Sequence, residues 1–224
     1  MNDSTPRLRI SRRSGKVLVV ADAGSPVSVE GGSVETRDDG TLEIHSRGSS
    51  TLVVKCPTGS DLTISTSSGA IEVTGEVGSV RVTTKSGKLE IEHASAIEAR
   101  GASGRVTVGV CTGECHVVFA TSSVRIGEAG SAVIATVSGD IEAGDVNDAE
   151  VKTVSGNIDI GARGGGRLSA RSISGSVRIT VPDGDRPSTR LKSVTGRISC
   201  ECGQGENGEI TAKTVSGRIA VTCR

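Results

Sequence analysis

Apolar and polar residues alternate in short runs along most of this chain, and the runs return on a nearly fixed pitch. The unit reads Ser or Thr, then Gly or Ser, then x, apolar, x, apolar. Its second position falls at Gly69, Gly87, Gly104, Ser122, Gly139, Gly156, Gly175, Gly196 and Gly217, spaced 18, 17, 18, 17, 17, 19, 21 and 21 residues apart. Two residues further on stand Ile71, Leu89, Val106, Val124, Ile141, Ile158, Val177, Ile198 and Ile219; four further on stand Val73, Ile91, Val108, Ile126, Ala143, Ile160, Ile179, Cys200 and Val221. Successive strand side chains point to opposite faces, so both columns face one way. The residues between them, among them Lys88, Arg105, Asp140 and Asn157, then Glu90, Arg125, Glu142 and Asp159, face the other way and are polar and variable.

A pitch of this length accommodates one coil of two or three short strands with tight corners. Gly and Ser interrupt the chain too often for helices of ordinary length. The pattern therefore predicts an all-β fold, a single-stranded β-solenoid or β-helix with coils of about 17–21 residues, each burying its apolar columns against its neighbours. The recurrent Gly supplies positive φ at a corner where a Cβ would crowd the next rung. The Ser or Thr before it can bond backbone groups or a hydroxyl one rung away. Burying one Ile or Val stabilises by roughly 1.5–3 kcal/mol, so two columns over many coils offset the ordering of the turns.

The first residues follow the same grammar less regularly. Ser14-Gly15 precedes Val17 and Val19, and Asp39-Gly40 precedes Leu42 and Ile44. Leu52 to Leu62 parallels Val177 to Pro187, matching Cys56 with Val181, Pro57 with Pro182 and Gly59 with Gly184. Residues 1–60 are expected to form irregular N-terminal coils or a cap, and 61–224 the regular repeats. No linker marks a second domain, so a single solenoid domain over 1–224 is expected.

Composition sharpens this picture. Phe119 is the one aromatic residue beside 31 Gly, so small β-branched side chains in thin layers must fill an interior that aromatics usually fill. Twenty-six Lys and Arg balance 26 Asp and Glu, leaving no global field for nucleic acid or an anionic membrane. Nucleic-acid stacking is disfavoured as well without aromatic platforms. The signs are locally uneven: between Glu128 and Asp159 lie seven acids and one base, Lys152, while both termini are rich in Arg and Lys. The band reads as a solvated surface or, alternatively, as an interaction band. The apolar run Val17 to Val20 is too short for a signal-peptide core or a membrane span. The expectation is a cytoplasmic protein without membrane insertion, its six cysteines mostly reduced.

TVSGDIEAG, TVSGNIDIG, SISGSVRITVP and TVSGRIAV, at Thr136, Thr153, Ser172 and Thr214, together resemble a bacterial family of β-strand-repeat proteins labelled putative adhesins and otherwise of unknown function. The resemblance covers nearly the whole chain from about Lys16. It implies a β-solenoid, similar to a single-stranded β-helix, and carries over no catalytic residue.

Among candidate chemistries, Cys111, Cys115 and His116 can be read as turn or core residues, as half a metal site, or as a redox pair. Their spacing matches neither C-x-x-C nor a repeated pair, and the structural reading is preferred. Cys200 and Cys202 share a face, and aligning Gly196 with Gly217 sets Cys202 beside Cys223. Stacked core thiols are the main reading. Neighbouring rungs lie roughly 4.8 Å apart, within range of disulfide Cα separations, so Cys202 and Cys223 are the possible thiol pair. Asp140, Glu142 and Asp159 line up on consecutive outer rungs, as exposed decoration or, alternatively, as a cation ladder; catalysis of the β-helix lyase kind would need a groove and nearby bases. GARGGGR, Gly161 to Arg167, lacks the Gly-Lys-Ser/Thr ending of a phosphate loop and reads as a wide corner. His45, His93 and His116 form no Ser-His-Asp grouping.

No cofactor is implied. The leading expectation is a non-enzymatic scaffold, a rigid rod binding an unknown protein partner through its outer faces or ends. The alternative is self-association into dimers or filaments by end-to-end or edge stacking, and a carbohydrate-active β-helix enzyme comes third.

Overall fold

The computed structural model describes residues 5–46, 48 and 50–224, and the chain divides into two compact units, Met1–Thr112 and Gly113–Arg224. All regular structure among the described residues is strand, and the fold is β-solenoid-like.

In the N-terminal unit, β1 (Arg7–Arg12) and β2 (Val17–Ala21) make the first turn of the chain. A short arm follows, β3 (Ser28–Glu30) and β4 (Ser33–Thr36), then a second turn, β5 (Leu42–Ser46) and β6 (Leu52–Cys56). β7 (Asp61–Ser138) is a run of rungs that keeps pairing through its corners and continues into the other unit. The first turn of the chain is not the first in space. Ile10 pairs in parallel with Ile44 on one side and Ile64 on the other, and Val19 lies between Val54 and Val73. The outermost rung is therefore β5–β6. Its outer edge is covered by the arm, which runs antiparallel with Val34 opposite Ile44 and Val29 opposite Val54. Under that cover Ile44, Leu52 and Val54 are fully buried.

A buried cation ties these turns together. Arg12 is 6% exposed, and its guanidinium donates to the carbonyls of Ser14, Lys16 (3.0 Å), Gly48 (2.8 Å) and Ser50. Four carbonyl acceptors replace the water that a buried charge must otherwise keep.

In the C-terminal unit, the end of β7 pairs with β8 (Ile141–Lys152), and β8 with β9 (Ile158–Ala162). The register is the one the repeat predicts: Val124, Ile141 and Ile158 stack, as do Ile126, Ala143 and Ile160, all within 1% of complete burial. The polar Glu142 and Asp159 pair on the opposite face. β10 (Arg167–Arg171) and β11 (Val177–Val181) form the next rung.

Beyond it the order departs from the sequence. β12 (Ser188–Ser193) and β13 (Ile198–Cys200) come next along the chain, then β14 (Glu209–Thr214) and β15 (Ile219–Cys223). In space, β14 lies between β10 and β12, and β15 between β11 and β13. Gly217 thus follows Gly175, and Gly196 is outermost. Hydrophobicity explains the exchange. The inward residues of the inserted rung, Ile210, Ala212, Ile219 and Val221, are at most 1% exposed. Those of the outer rung include Thr189 and Ser193, whose hydroxyls would cost free energy if buried on both sides, and Ile198 is left 42% exposed.

The corner glycines need both their freedom and their lack of a side chain. Gly156 has φ of 148°, and a Cβ there would sit 2.2 Å from the carbonyl oxygen of Gly139 on the neighbouring rung. The hydroxyl that turns inward belongs not to the Ser beside this Gly but to the Thr two residues earlier. Thr136 Oγ1 donates to Thr153 Oγ1 at 3.0 Å inside the core, while Ser138 and Ser155 bridge through their backbones. Among the described residues, the hydroxyl of Ser172, next in that column, has no hydrogen-bond partner.

Candidate interaction surfaces

The rungs bring outward side chains into columns, and the first consequence concerns the acidic band. Sequence spacing leaves Lys152 as its one base; neighbouring rungs supply more. Arg125 Nη2 lies 2.7 Å from Glu142, Arg178 Nη1 lies 3.0 Å from Asp159, and Lys152 Nζ lies 2.5 Å from Glu150. Arg163 spans Glu128 at 3.1 Å and Asp145 at 3.3 Å, and the hydrogen bond with Asp145 pushes its pKa up. The bond from Lys152 holds the Glu150 carboxyl below its ordinary value. Among the described residues Asp140 forms no ion pair and accepts instead from the backbone and side-chain nitrogens of Asn157 at 2.8 and 3.2 Å. Asp140, Glu142 and Asp159 are thus each engaged by a neighbour one rung away. These pairs are exposed, so each contributes little to stability.

The cysteines divide between core and surface. Cys111 and Cys115 are fully buried, with Cys111 Sγ 4.0 Å from the Ser95 carbonyl oxygen. His116 sits half-buried between the inward-facing Cys115 and Val117, so strand alternation turns its ring to the other face. No group of three or more His, Cys, Asp or Glu poised for a metal ion occurs among the described residues. Burial raises the Cys56 thiol pKa, against a hydrogen bond with Ser60 that lowers it. Cys202 and Cys223 are joined by a disulfide with Cα atoms 5.6 Å apart. It clips the loop after the outermost rung to the end of the inserted one. His45 and His93 lie in strands, and the stretch Gly161 to Arg167 runs from the end of β9 through the connection at 163–166 to the first residue of β10.

Each unit has an open surface groove. That of the N-terminal unit encloses about 1360 Å³ and is lined by Arg13, His45, Ser46, Thr66, Thr84 and Lys85 among others. That of the C-terminal unit encloses about 760 Å³, with Asp148, Glu150, Arg167, Glu206 and Glu209 on its walls.

Two further columns were not singled out from the sequence. Val137, Val154, Ile173, Val215 and Val194, the apolar residue of each TVSG-type corner, are 55, 43, 53, 47 and 74% exposed. Two residues before Val154, Ile173, Val215 and Val194 stand Lys152, Arg171, Lys213 and Lys192, in register on four consecutive rungs. Both lie at a fixed offset before the corner Gly of the later repeats, two residues for the apolar column and four for the cations.

This geometry, parallel rungs with glycine corners and layered aliphatic columns, extends through residues that match a sequence family. The Toastrack DUF4097 family matches residues 7–223. The chain belongs to that family. No curated protein shows significant sequence similarity to this Toastrack chain. Among solved structures, it is similar to a putative adhesin from Parabacteroides distasonis ATCC 8503 at 13% identity, covering 100% of this chain and 94% of that one with a TM-score of 0.46. It is also similar to a putative cell adhesion protein from Clostridium sporogenes ATCC 15579, at 12% identity over 98% and 93% of the two chains with a TM-score of 0.27. No helix among the described residues is long and apolar enough to cross a membrane, which says nothing of β-barrels.

Proposed function

We propose that this Toastrack protein is a non-enzymatic scaffold, a single-stranded solenoid with coils of about 17–21 residues that binds a macromolecular partner through its outer columns or an outermost rung. The observation that carries this reading is the division of labour along each rung. Inward positions repeat as Ile, Val, Leu or Ala, while outward positions change from rung to rung in charge and size. A surface free to vary on an invariant support suits recognition, as in other repeat proteins. Several of its titratable groups are held in rung-to-rung pairs such as Arg125–Glu142 and Arg178–Asp159. In such pairs, neither member is set apart as a general acid or base.

Affinity capture on the immobilised chain, followed by cross-linking and mass spectrometry, tests the reading. A stoichiometric partner cross-linked to outward-facing residues supports it; turnover of a substrate by the purified chain would sink it. A second reading, self-assembly, draws on the outer side of β12–β13, which pairs with no other strand among the described residues. Light scattering over a concentration series separates the two, because rods that lengthen with concentration support assembly and a constant monomer mass removes it.

A further inference from the structure

The outermost rung of the C-terminal unit is an unfilled strand site. Among the described residues β12 pairs only with β14, and β13 only with β15. The amide of Ser188 donates to the Gly208 carbonyl, and Arg197 accepts from the Ile219 amide while Glu201 donates to Val221. The N–H and C=O of one strand residue point to the same side, and that side alternates along the strand. The backbone groups of Thr189, Leu191 and Ser193, and of Ile198 and Cys200, therefore face away from the stack, where no strand pairs with them. Beside them lies the exposed end of the core, with Ile198 at 42% exposure.

The strands at this edge carry charge of one sign, although Glu201 follows Cys200 in the chain and Glu209 stands in register with Ser188. Between Ser188 and Cys200 the chain carries Arg190, Lys192 and Arg197 and no acid. The next rungs deepen the field: Lys213 stands in register with Lys192, Arg171 with Lys213, and the Ile198–Ile219 register sets Arg218 behind Arg197. Arg190 and Lys192 point outward and Leu191 inward, as the alternating exposure of β12 shows. An identical copy would bring the same cations against these, which disfavours direct edge-to-edge pairing.

We propose that β12–β13 receives an extended segment of another protein by strand addition, with acidic side chains at alternate positions beside Arg190 and Lys192 and an apolar one over Leu191. The proposal rests on the scaffold reading and names the site and the chemistry of its partner. Main-chain hydrogen bonds supply affinity, as in other strand-addition complexes. The cationic columns select an acidic sequence over a basic one. The added strand also covers Ile198 and the end of the core.

Fluorescence anisotropy of the full chain with a capped peptide of alternating Glu and Val tests this. Binding of that peptide, weakening as salt is raised, is expected, with none of a Lys–Val counterpart. The double variant Arg190→Glu, Lys192→Glu, whose side chains lie outside the core, should melt like the parent and bind about tenfold more weakly or worse. Peptides N-methylated on alternate amides in each of the two phases report the hydrogen bonds. Loss of binding in one phase and retention in the other is expected; retention in both overturns strand addition. Failure of the Glu–Val peptide to bind overturns the proposal, as does undiminished binding by the double variant. A dimer lost in the double variant would instead identify a second copy as the occupant, and also overturns it. A cross-linked partner held equally by parent and double variant overturns the edge site and leaves the scaffold reading intact; absence of any partner removes the scaffold reading itself.

Discussion

The outermost rungs of the two units solve the same problem differently. In each, the turn nearest the described chain terminus is tucked one rung in, β1–β2 behind β5–β6 and β14–β15 behind β12–β13. An internal segment is left outside in both. In the N-terminal unit that segment is as apolar as its neighbours, with Leu42, Ile44, Leu52 and Val54, and an antiparallel arm covers its edge. In the C-terminal unit it is more polar, remains uncovered, and is held by the Cys202–Cys223 disulfide. Edge protection by a covering strand and edge protection by charge are both established devices. The contrast shows that a solenoid can afford a bare rung when that rung carries cations and hydroxyls rather than a full aliphatic column.

The largest expected effect separates the two rungs at their core columns. Ile44→Asp places a carboxylate under the arm, where Ile44 is fully buried, and should destabilise by about 4 kcal/mol or more. Ile198→Asp, in the uncovered rung, should cost about 1 kcal/mol or less. Urea unfolding of both variants decides; equal losses would contradict the difference in cover. Ile158→Asp should behave like Ile44→Asp, whereas Asp159→Ala should leave the fold intact.

Next in size is the disulfide. Its ends are 21 residues apart, and closing a loop of this size stabilises by up to about 3 kcal/mol in the chain-entropy account. Cys223→Ser, or reduction, should lower stability and raise hydrogen exchange in β12 and β13 before β8 and β9. Mass spectrometry of the unreduced protein gives the independent check, and finding six free thiols would leave the outer rung unpinned.

Replacing residues 28–36 by a Gly-Ser linker converts the covered rung into a bare one whose two strands carry a single Lys or Arg, Lys55. Association that grows with concentration is expected in light scattering, while the parent stays unchanged. A monomeric variant would show that the arm does not guard the edge.

The smallest effect is electrostatic. Lys152 holds the Glu150 carboxyl below its ordinary pKa of 4.5. The folded state therefore favours the ionised form, and the contribution is present above pH 4.5 and lost as pH falls through the depressed folded value. Glu150→Gln should shift the melting temperature slightly near neutral pH, and the difference from the parent should vanish in acid.

The interior was largely legible in the sequence. Ile141 over Ile158, Ala143 over Ile160 and Glu142 beside Asp159 follow from a strict two-residue alternation read at a constant pitch, and the corner Gly declares itself by recurrence. The outer surface was legible in part. The corner valines and the cations before them recur only in the later repeats, unlike the core columns, and their exposure depends on which side of the corner the chain turns. The arm at Ser28 to Thr36 carries too few alternating residues to announce a strand, and it pairs only because β5 and β6 offer it an edge.

By itself, then, the sequence determined the all-β class, the faces of each rung and the register of its columns, because these depend on side-chain alternation and local turn chemistry alone. Tertiary structure decided the rest. The rung order at each outermost turn depends on which segment loses least by facing water on one side, a comparison between residues far apart in the chain. The partners of Glu142 and Asp159, the carbonyls around Arg12 and the bare edge at β12–β13 were set at the same time, because stacking alone determines which residues become neighbours.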